Sequence, residues 1–582
     1  MKNPHGKGSL RVKRGKGYQR RGGSMRAARE KVNRNGLSVR CWKVKQPFCR
    51  GINMTTGNSR LLLLVGIVVV CALAYCNSFT GPFIFDDLGS IPGNSSLQSL
   101  WSSLTRIPGA QTVTGRPILN FSFAVNHVIC GNSVWMYHVT NLVIHVLAGL
   151  TLFGIVRRTM SEKLALVIAT VWLLHPLQTE SVTYIVQRAE SLAGLFYLLA
   201  LYCFIRSIES SRAIVWQIAC VVTCLLGVGT KEIVASAPIV ILLYDRAFVA
   251  GSFAEAWRSR RWIYVALAST WIPLGVLMFG THGRAGSAGF NAGIAWTDYA
   301  QTQCVAICRY LRLSFWPNPL VLDYGTPVVT DLSAVAPCAA VIALLLSGTV
   351  VALWRWPKVG FAGVAFFACL APTSSVIPIT TQTIAEHRMY LALAPEIALV
   401  VVGIAWLMRR AELVRAIATA AVALALAVTT FGRNRDYRIS STIWLDTLAK
   451  CPTNARAANA AATALFQERR PAEAFTCYDR AIQLEPDNPR WRSNRGNAHL
   501  ALGQFELALA DYNGAIRIDS TLGGAFVNRA VCEFQLKRYD EAMADVGRAR
   551  SLHINPHPDF VRALEQAAHR DIAIVNTPLD RR

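Results

Sequence analysis

The 582-residue sequence has few charged residues and no closely spaced cysteine pairs. Asp, Glu, Lys and Arg together make up 16% of it, whereas 53% is hydrophobic. A chain of several soluble domains needs more charged residues on its surface, so this composition excludes that class and indicates a membrane protein with many spans. The fifteen cysteines form no Cys-x-x-Cys pair, and most fall inside apolar runs. We therefore predict no disulfide framework, no metal site and no cofactor.

Acidic residues are almost missing from the first 60 positions, which carry seventeen Lys and Arg against a single acid, Glu30. This segment accounts for much of the formal net charge of +26 and shows no apolar periodicity. Such a composition is typical of disorder. We predict a basic, disordered cytoplasmic arm over residues 1–59 that fixes the topology of the chain. Binding of anionic lipid or nucleic acid by this arm is the alternative.

Apolar stretches long enough, or nearly so, to cross a bilayer occur eleven times between residues 60 and 432. With the arm in the cytoplasm, every connection on that side carries Lys or Arg, for example Arg157 and Arg409, as the positive-inside rule requires. The apolar segment 299–316 contains two arginines and is interpreted as re-entrant or interfacial. We therefore predict an all-α, polytopic membrane helix bundle of about eleven spans, near residues 60–78, 138–156, 162–175, 191–206, 214–229, 233–244, 262–280, 337–354, 359–372, 390–408 and 414–431.

A repeat with a period of 34 residues begins at about residue 455. Small residues recur at Ala474, Ala508 and Ala542, as two closely packed antiparallel helices require. The pattern predicts a soluble α-solenoid of about three tetratricopeptide repeats, whose concave surface offers a site for peptides or partner proteins. The predicted divisions after the membrane domain at 60–432 are a linker at 433–454, the repeats at 455–556, and a capping helix and tail at 557–582.

Charged residues gather beside the spans on the side predicted to be extracytoplasmic, where positive charge violates the positive-inside rule. Guanidinium and ammonium groups in a low dielectric are suited to phosphate, so four cations are predicted to bind a phosphate or pyrophosphate there. They are Arg116, Arg188, Lys231 and Arg388. The alternative is a set of local ion pairs: Arg188 with Glu190, Lys231 with Glu232, and Arg388 with Glu386.

Two adjacent acids, Asp86 and Asp87, follow the first span. They are either the solvated start of a helix or a catalytic base and its partner. The sequence does not decide which of the two carboxylates would act.

These motifs, in their order along the chain, resemble a known family. The resemblance covers roughly residues 60 to 560 and points to the transmembrane and tetratricopeptide repeat (TMTC) proteins, which belong with the protein O-mannosyltransferases to the C-type-fold glycosyltransferases. The motifs that carry it are Phe85-Asp86-Asp87, Arg116-Pro117, His175-Pro-x-x-Thr-Glu180, Arg188-Ala-Glu190, Lys231-Glu232 and Glu386-His-Arg-Met-Tyr390, followed by the repeats.

The resemblance implies a transferase that moves a sugar from a lipid phosphate carrier to an acceptor on the extracytoplasmic face. No metal-binding spacing is evident in the sequence, which agrees with a metal-independent member, and our hypothesis is an inverting enzyme. Asp86 or Asp87 would be the base, and Lys231, Arg188 and Arg388 would bind the departing lipid phosphate and stabilise its charge. Glu180 and Glu190 would orient the sugar or these cations. Further candidates for orienting the sugar or the acceptor are His175, Glu232, Glu386 and Tyr390.

Our hypothesis is a multi-pass glycosyltransferase that modifies Ser or Thr of a protein on the extracytoplasmic face, with repeats that recruit this acceptor. Few repeats and an Ala-rich composition favour a bacterial inner membrane with periplasmic repeats; an endoplasmic reticulum membrane with luminal repeats is the alternative. The second hypothesis is a non-catalytic membrane scaffold whose repeats bind partner proteins and whose buried charges form structural pairs.

Overall fold

The structure is a computed structural model that describes residues 57–105, 112–281, 289–290, 293–325 and 328–575. Residues 1–56 of the predicted basic arm and 576–582 of the predicted tail lie outside these ranges. The regular elements of the described part are all helices, which confirms the predicted all-α class. In the membrane part they are α1 Gly57–Tyr75, α2 Asp86–Ser90, α3 Leu100–Thr105, α4 Pro117–Cys130, α5 Val134–Thr159, α6 Glu162–Leu174, α7 Thr179–Thr183, α8 Arg188–Glu209, α9 Ala213–Val228, α10 Ala237–Asp245, α11 Phe253–Ala268, α12 Trp271–Gly280, α13 Trp296–Phe315, α14 Leu332–Arg355, α15 Pro357–Leu370, α16 Met389–Leu407 and α17 Glu412–Asp436.

Eight helical segments of the described part are long and apolar enough to cross a membrane. They are Arg60–Ser78, Val134–Thr159, Ile185–Glu209, Glu232–Ala250, Phe253–Gly280, Leu332–Arg355, Glu386–Leu407 and Glu412–Asp436. The other predicted spans coincide with the shorter helices α6, α9 and α15. The chain is therefore a multi-pass membrane protein, as predicted. The segment 299–316, interpreted from the sequence as re-entrant or interfacial, falls on the helix α13.

Ion pairs join helix ends that are predicted to face the cytoplasm. Arg60 in α1 lies 2.7 Å from Glu162 at the start of α6, and Lys163 pairs with Glu412 at the start of α17. The acidic loop after α1 and the polar segments before α8 and α16 contact one another at the opposite end of the bundle. The acidic loop and these polar segments therefore lie at the end of the bundle opposite to the two ion pairs.

The C-terminal part stacks pairs of antiparallel helices. They are α18 Ser440–Lys450, α19 Ala455–Gln467, α20 Pro471–Leu484, α21 Pro489–Ala501, α22 Phe505–Ile518, α23 Gly523–Gln535, α24 Tyr539–Ser551 and α25 Pro558–Val575. Ala474, Ala508 and Ala542 are fully buried where paired helices meet, because a larger side chain would push the two backbones apart. Val561 and Leu564 of α25 cover the apolar face of the last pair.

The repeats are joined to the polar end of the bundle by α18 and α19. The segment predicted as a linker holds α18, which is amphipathic and buries Ile443 and Trp444. Arg433 at the end of α17 lies 2.7 Å from Asp446 of α18. Asn454 donates a 2.8 Å hydrogen bond from Nδ2 to the carbonyl of Asp323. The first repeat is therefore fixed against the loops that follow the spans.

Candidate active site

A cavity of about 880 Å³ lies between the polar end of the bundle and the first repeats. Both parts of the chain line it, and we name its two sides for use below. The bundle wall is formed by loops and helix ends and includes Asp86, Thr112, Arg116, Lys231, Glu232, His387 and Arg388. The repeat wall is formed by α19 and α21 and includes Arg456, Asn459, Ala460, Thr463, Arg490 and Asn494.

Asp86 lies on the bundle wall at the start of the short helix α2. Its backbone N–H donates to the hydroxyl of Tyr184 at 3.0 Å, and Thr112 donates a 3.3 Å hydrogen bond to its Oδ2. Burial raises the pKa of Asp86 above its ordinary value, and the charge of Arg456 opposes that rise. A carboxylate with a raised pKa that faces a cavity is a stronger base than a solvated one.

Asp87 is fully buried and does not line the cavity. Its Oδ2 accepts the backbone N–H of Ile84 at 3.0 Å, and its Oδ1 accepts that of Val186 at 2.7 Å. Burial raises the pKa of Asp87 to about 8, although the two backbone bonds lower it. Both oxygens are engaged, so this side chain ties the acidic loop to the turn before α8.

Phe85, the residue before the two acids, has φ 46° and ψ −114°. A residue with a side chain pays about 1–3 kcal/mol for such a backbone conformation. Its ring packs edge-on against Trp444 of α18, with centroids 5.2 Å apart, and lies 5.7 Å from the guanidinium carbon of Arg456. Contacts from the repeat side thus hold the acidic loop in the conformation that presents Asp86 to the cavity.

Arg456 of α19 contacts three different loops of the membrane part. Its Nε donates to Asp323 Oδ2 at 2.6 Å, and its Nη1 donates to the carbonyl of Thr381 at 2.7 Å. The third contact is the ring of Phe85. Sequence reasoning missed this residue, because its ion-pair partner lies 133 positions earlier.

Three of the four predicted phosphate-binding cations line the cavity. Arg116 donates to the carbonyl of Thr112 at 3.0 Å and lies 3.4 Å from Glu232. Burial lowers the pKa of Arg116 to about 10, although the charges of Glu190 and Asp86 raise it. Lys231 lies 2.7 Å from Glu190.

Arg388 is the third cation on the bundle wall and is held by neutral groups. It donates to the carbonyl of Thr383 at 3.1 Å and to the hydroxyl of Ser374 at 3.3 Å, and it also bonds the carbonyl of Gln382. The local ion pair predicted as an alternative, between Arg388 and Glu386, is replaced in the described structure by these contacts. Glu386 instead accepts the N–H of Val321 and the hydroxyl of Tyr324, both at 2.7 Å.

Arg188, the fourth predicted cation, does not line the cavity. It is fully buried, and its Nε donates to Asn141 Oδ1 at 2.6 Å. Its other nitrogens donate to the carbonyls of Ser122 and Tyr137, at 3.0 and 3.1 Å. In the described structure it therefore joins α4, α5 and α8 instead of pairing with Glu190.

His387 connects two of the predicted acids and lines the cavity. Glu180 accepts its backbone N–H at 2.8 Å and contacts its Nδ1 at 2.7 Å. Glu190 lies 3.9 Å from its Nε2. His387 was not among the predicted site residues. The sequence signal that could have identified it is its place between two of them, Glu386 and Arg388.

Two of the remaining predicted residues lie away from the cavity. His175 caps the turn after α6 by accepting the N–H of Leu177, and its Nε2 contacts the carbonyl of Ser314 at 3.0 Å. Tyr390 is fully buried, and its hydroxyl lies 2.9 Å from His145 Nδ1. Both side chains satisfy polar groups inside the bundle, where no water would reach. Among the described residues, no group of three or more His, Cys, Asp or Glu is placed to hold a metal ion.

Fold, site and family model define the class of this chain: a multi-pass membrane protein that carries tetratricopeptide repeats. The Tetratricopeptide repeat model matches residues 425–489 and 459–522. The repeats predicted from the 34-residue period are therefore confirmed.

Curated relatives extend the similarity into the membrane part. The chain is 22% identical over 506 residues to the protein O-mannosyl-transferase TMTC3 of Mus musculus, a match that covers 77% of this chain and 54% of the relative. It is 31% identical over 148 residues to TMTC2 of Mus musculus, covering 23% of this chain and 17% of that protein. The chain thus spans about half the length of the first relative. The predicted resemblance to the TMTC proteins is confirmed.

A solved structure was also compared with the chain. The crystal structure of ArnT from Cupriavidus metallidurans bound to undecaprenyl phosphate aligns over 88% of this chain and 91% of that protein, at 13% identity and a TM-score of 0.43.

Proposed function

We propose that this chain is a membrane glycosyltransferase that moves a sugar from a polyprenyl phosphate to a Ser or Thr hydroxyl of a protein on the extracytoplasmic face. One observation carries the proposal: a single cavity holds the carboxylates of Asp86 and Glu232 and three cations on its bundle wall, and it continues along the inner face of the repeats. The names of the relatives, protein O-mannosyl-transferases, favour mannose as the sugar.

Asp86 is the proposed base, because it lines the cavity while both oxygens of Asp87 are engaged by backbone N–H groups. Its carboxylate takes the proton of the acceptor hydroxyl, and the hydroxyl oxygen attacks the anomeric carbon of the sugar. The bond from that carbon to the phosphate oxygen breaks, and the polyprenyl phosphate leaves with the electron pair. The anomeric configuration inverts, since attack and departure occur on opposite faces.

Arg116, Lys231 and Arg388 are proposed to stabilise the charge that grows on the departing phosphate. Each is held by hydrogen bonds or an ion pair from the protein itself. Fixed cations in a water-poor site stabilise a transition state more than mobile ones, because they need no reorganisation. Glu190 and Glu232 keep Lys231 and Arg116 in place, and Glu180 does so indirectly through His387.

The repeat wall is proposed to bind the acceptor. Asn459 and Asn494 present half-buried amides to the cavity, joined by a 3.0 Å hydrogen bond. Amides and hydroxyls there can bond the backbone of an extended peptide and bring a Ser or Thr towards Asp86. A periplasmic position of the repeats, with the chain in a bacterial inner membrane, is the corresponding proposal for localisation.

The test is transfer by the full chain in lipid vesicles, supplied with a polyprenyl-phosphate-linked mannose and a Ser/Thr peptide, with mass spectrometry of the peptide. We expect a peptide that carries one added hexose. Ala460→Trp fills the repeat wall and should suppress transfer, whereas Ala472→Trp, an exposed position on α20, should not. Peptide binding without any sugar transfer from mannose or other sugar donors would favour the scaffold hypothesis instead.

A further inference from the structure

A second, smaller cavity of about 250 Å³ lies next to the large one. It is lined by the end of α3, by residues 113–116 and the first turn of α4, and by the last turn of α12 with Thr281. Arg116 lines both cavities and therefore stands between them.

The helix α12 exposes apolar side chains beside the smaller cavity. Ile272, Val276 and Phe279 are 70%, 67% and 85% exposed, and they belong to the candidate span Phe253–Gly280. Side chains of this kind on a spanning helix face the hydrocarbon of the bilayer. Val276 also lines the smaller cavity, so this cavity borders directly on the lipid-facing surface.

Arg116 is placed to hold an anion at the inner end of that cavity. Only 6% of the residue is exposed. Its two terminal nitrogens contact Thr112 and Glu232, but its Nε has no hydrogen-bond partner among the described residues. A buried guanidinium nitrogen without an acceptor is costly, and a phosphate oxygen would remove that cost.

We propose that the smaller cavity binds the phosphate-proximal end of the isoprenoid chain of the lipid donor, with the phosphate at Arg116 and the sugar in the large cavity. This inference rests on the proposed function and extends it. The donor then enters from the membrane past α12, and the acceptor enters along the repeat wall. The two substrates meet on either side of Arg116 without crossing.

Two glycines of α12 allow a matched test. A Cβ added at Gly280, which lines the smaller cavity, meets nothing within 4 Å, and neither does one added at Gly275, which does not line it. Gly280→Leu therefore places a side chain in the proposed lipid path without a backbone clash. Gly275→Leu makes the same chemical change in the same helix outside that path.

The measurement is binding of undecaprenyl phosphate to the purified full chain by native mass spectrometry, with phosphatidylglycerol as a competitor. We expect Gly280→Leu to weaken binding about tenfold or more and Gly275→Leu to leave it unchanged. Arg116→Gln should remove the preference for undecaprenyl phosphate over undecaprenol.

The outcomes separate this inference from the proposed function. Equal binding by both leucine variants, or full displacement by phosphatidylglycerol, would overturn the lipid path. Binding that depends on Gly280 and Arg116 but leads to no sugar transfer would leave the lipid path standing and overturn the proposed function.

Discussion

The two walls of the large cavity hold their polar groups in different ways. On the bundle wall, Arg116, Lys231 and Arg388 are buried charges, each fixed by hydrogen bonds or an acid from another segment. On the repeat wall, Asn459 and Asn494 are half-buried, neutral and bonded to each other. Rigid charge suits a reaction centre, where geometry must not vary. Amides that keep spare donors and acceptors suit acceptors of differing sequence.

Asp86→Asn should produce the largest effect, since it removes the proposed base and keeps the size of the side chain. We expect sugar transfer to fall by about a thousandfold, measured as kcat/KM with a peptide acceptor. Thermal unfolding should change little. An active Asp86→Asn variant would end the assignment.

Asp87→Ala tests the structural role of the second acid, as Asp86→Asn tests the catalytic role of the first. It leaves the buried N–H groups of Ile84 and Val186 without acceptors, at about 1–3 kcal/mol each, so we expect a clear drop in unfolding temperature. If Asp87→Ala were as stable as the unsubstituted chain, the backbone-anchoring role of this side chain would be wrong.

Lys231→Met tests the fixed charge of the bundle wall. The loss of one cation from the departing phosphate should lower kcat by about a hundredfold. Lys163→Met, at the other end of the bundle and exposed, is the matched control and should leave kcat unchanged. Equal rates for the two variants would show that the charge on the bundle wall does not serve the reaction.

Arg456→Gln tests the point where the repeat side touches the reaction centre. The charge of Arg456 lowers the pKa of Asp86, while Asp323 and burial raise it. Loss of the cation removes one lowering influence and uncovers Asp323, so the pKa of Asp86 rises in the folded chain. Because the base must be ionised, the acidic limb of the kcat/KM profile should move to higher pH.

The control for the pH profile is Arg517→Gln, an exposed arginine on α22. A profile that stays in place while the rate falls at all pH values would show that Arg456 only stabilises the fold. The other charged groups that act on Asp86 are Asp323, Asp87 and Arg116, and both variants keep them.

Arg529→Gln should give the smallest effect. Arg529 donates a 2.7 Å hydrogen bond to each of the two carboxylate oxygens of Asp545. Both residues lie in the last repeat, away from the cavity. A partly exposed pair of this kind contributes about 0.2–1 kcal/mol, so the unfolding temperature should fall slightly and sugar transfer should not change. A large loss of transfer would mean that the walls are coupled through the whole array.

Sequence patterns predicted what depends on local periodicity. Apolar runs predicted the spans, and the 34-residue period predicted the helix pairs, because each is written in neighbouring residues. Positive charge on the side predicted to be extracytoplasmic identified four cations as candidates. The structure brings three of them to one cavity: Arg116, Lys231 and Arg388. Their roles, the domain boundaries and the bacterial origin stay predictions.

Long-range contacts decided what the sequence left open. Asp86 and Asp87 are identical in type and adjacent, but the N–H of Val186, 99 positions away, engages Asp87 while Asp86 lines the cavity. Arg188 was grouped with the other cations, yet Asn141 and two carbonyls on other helices hold it elsewhere. Lys231 pairs with Glu190, 41 positions away. Local sequence periodicity does not predict contacts between residues so far apart in the chain.

The strained backbone at Phe85 has a consequence for how the protein is made. The rings and charges that hold this residue belong to Trp444 and Arg456, which leave the ribosome long after the first span has been inserted. Until they arrive, the segment can relax to an ordinary conformation, and Asp86 then loses its position at the cavity. Asp86 therefore reaches its position at the cavity only after Trp444 and Arg456 have been synthesised and the first repeat has docked.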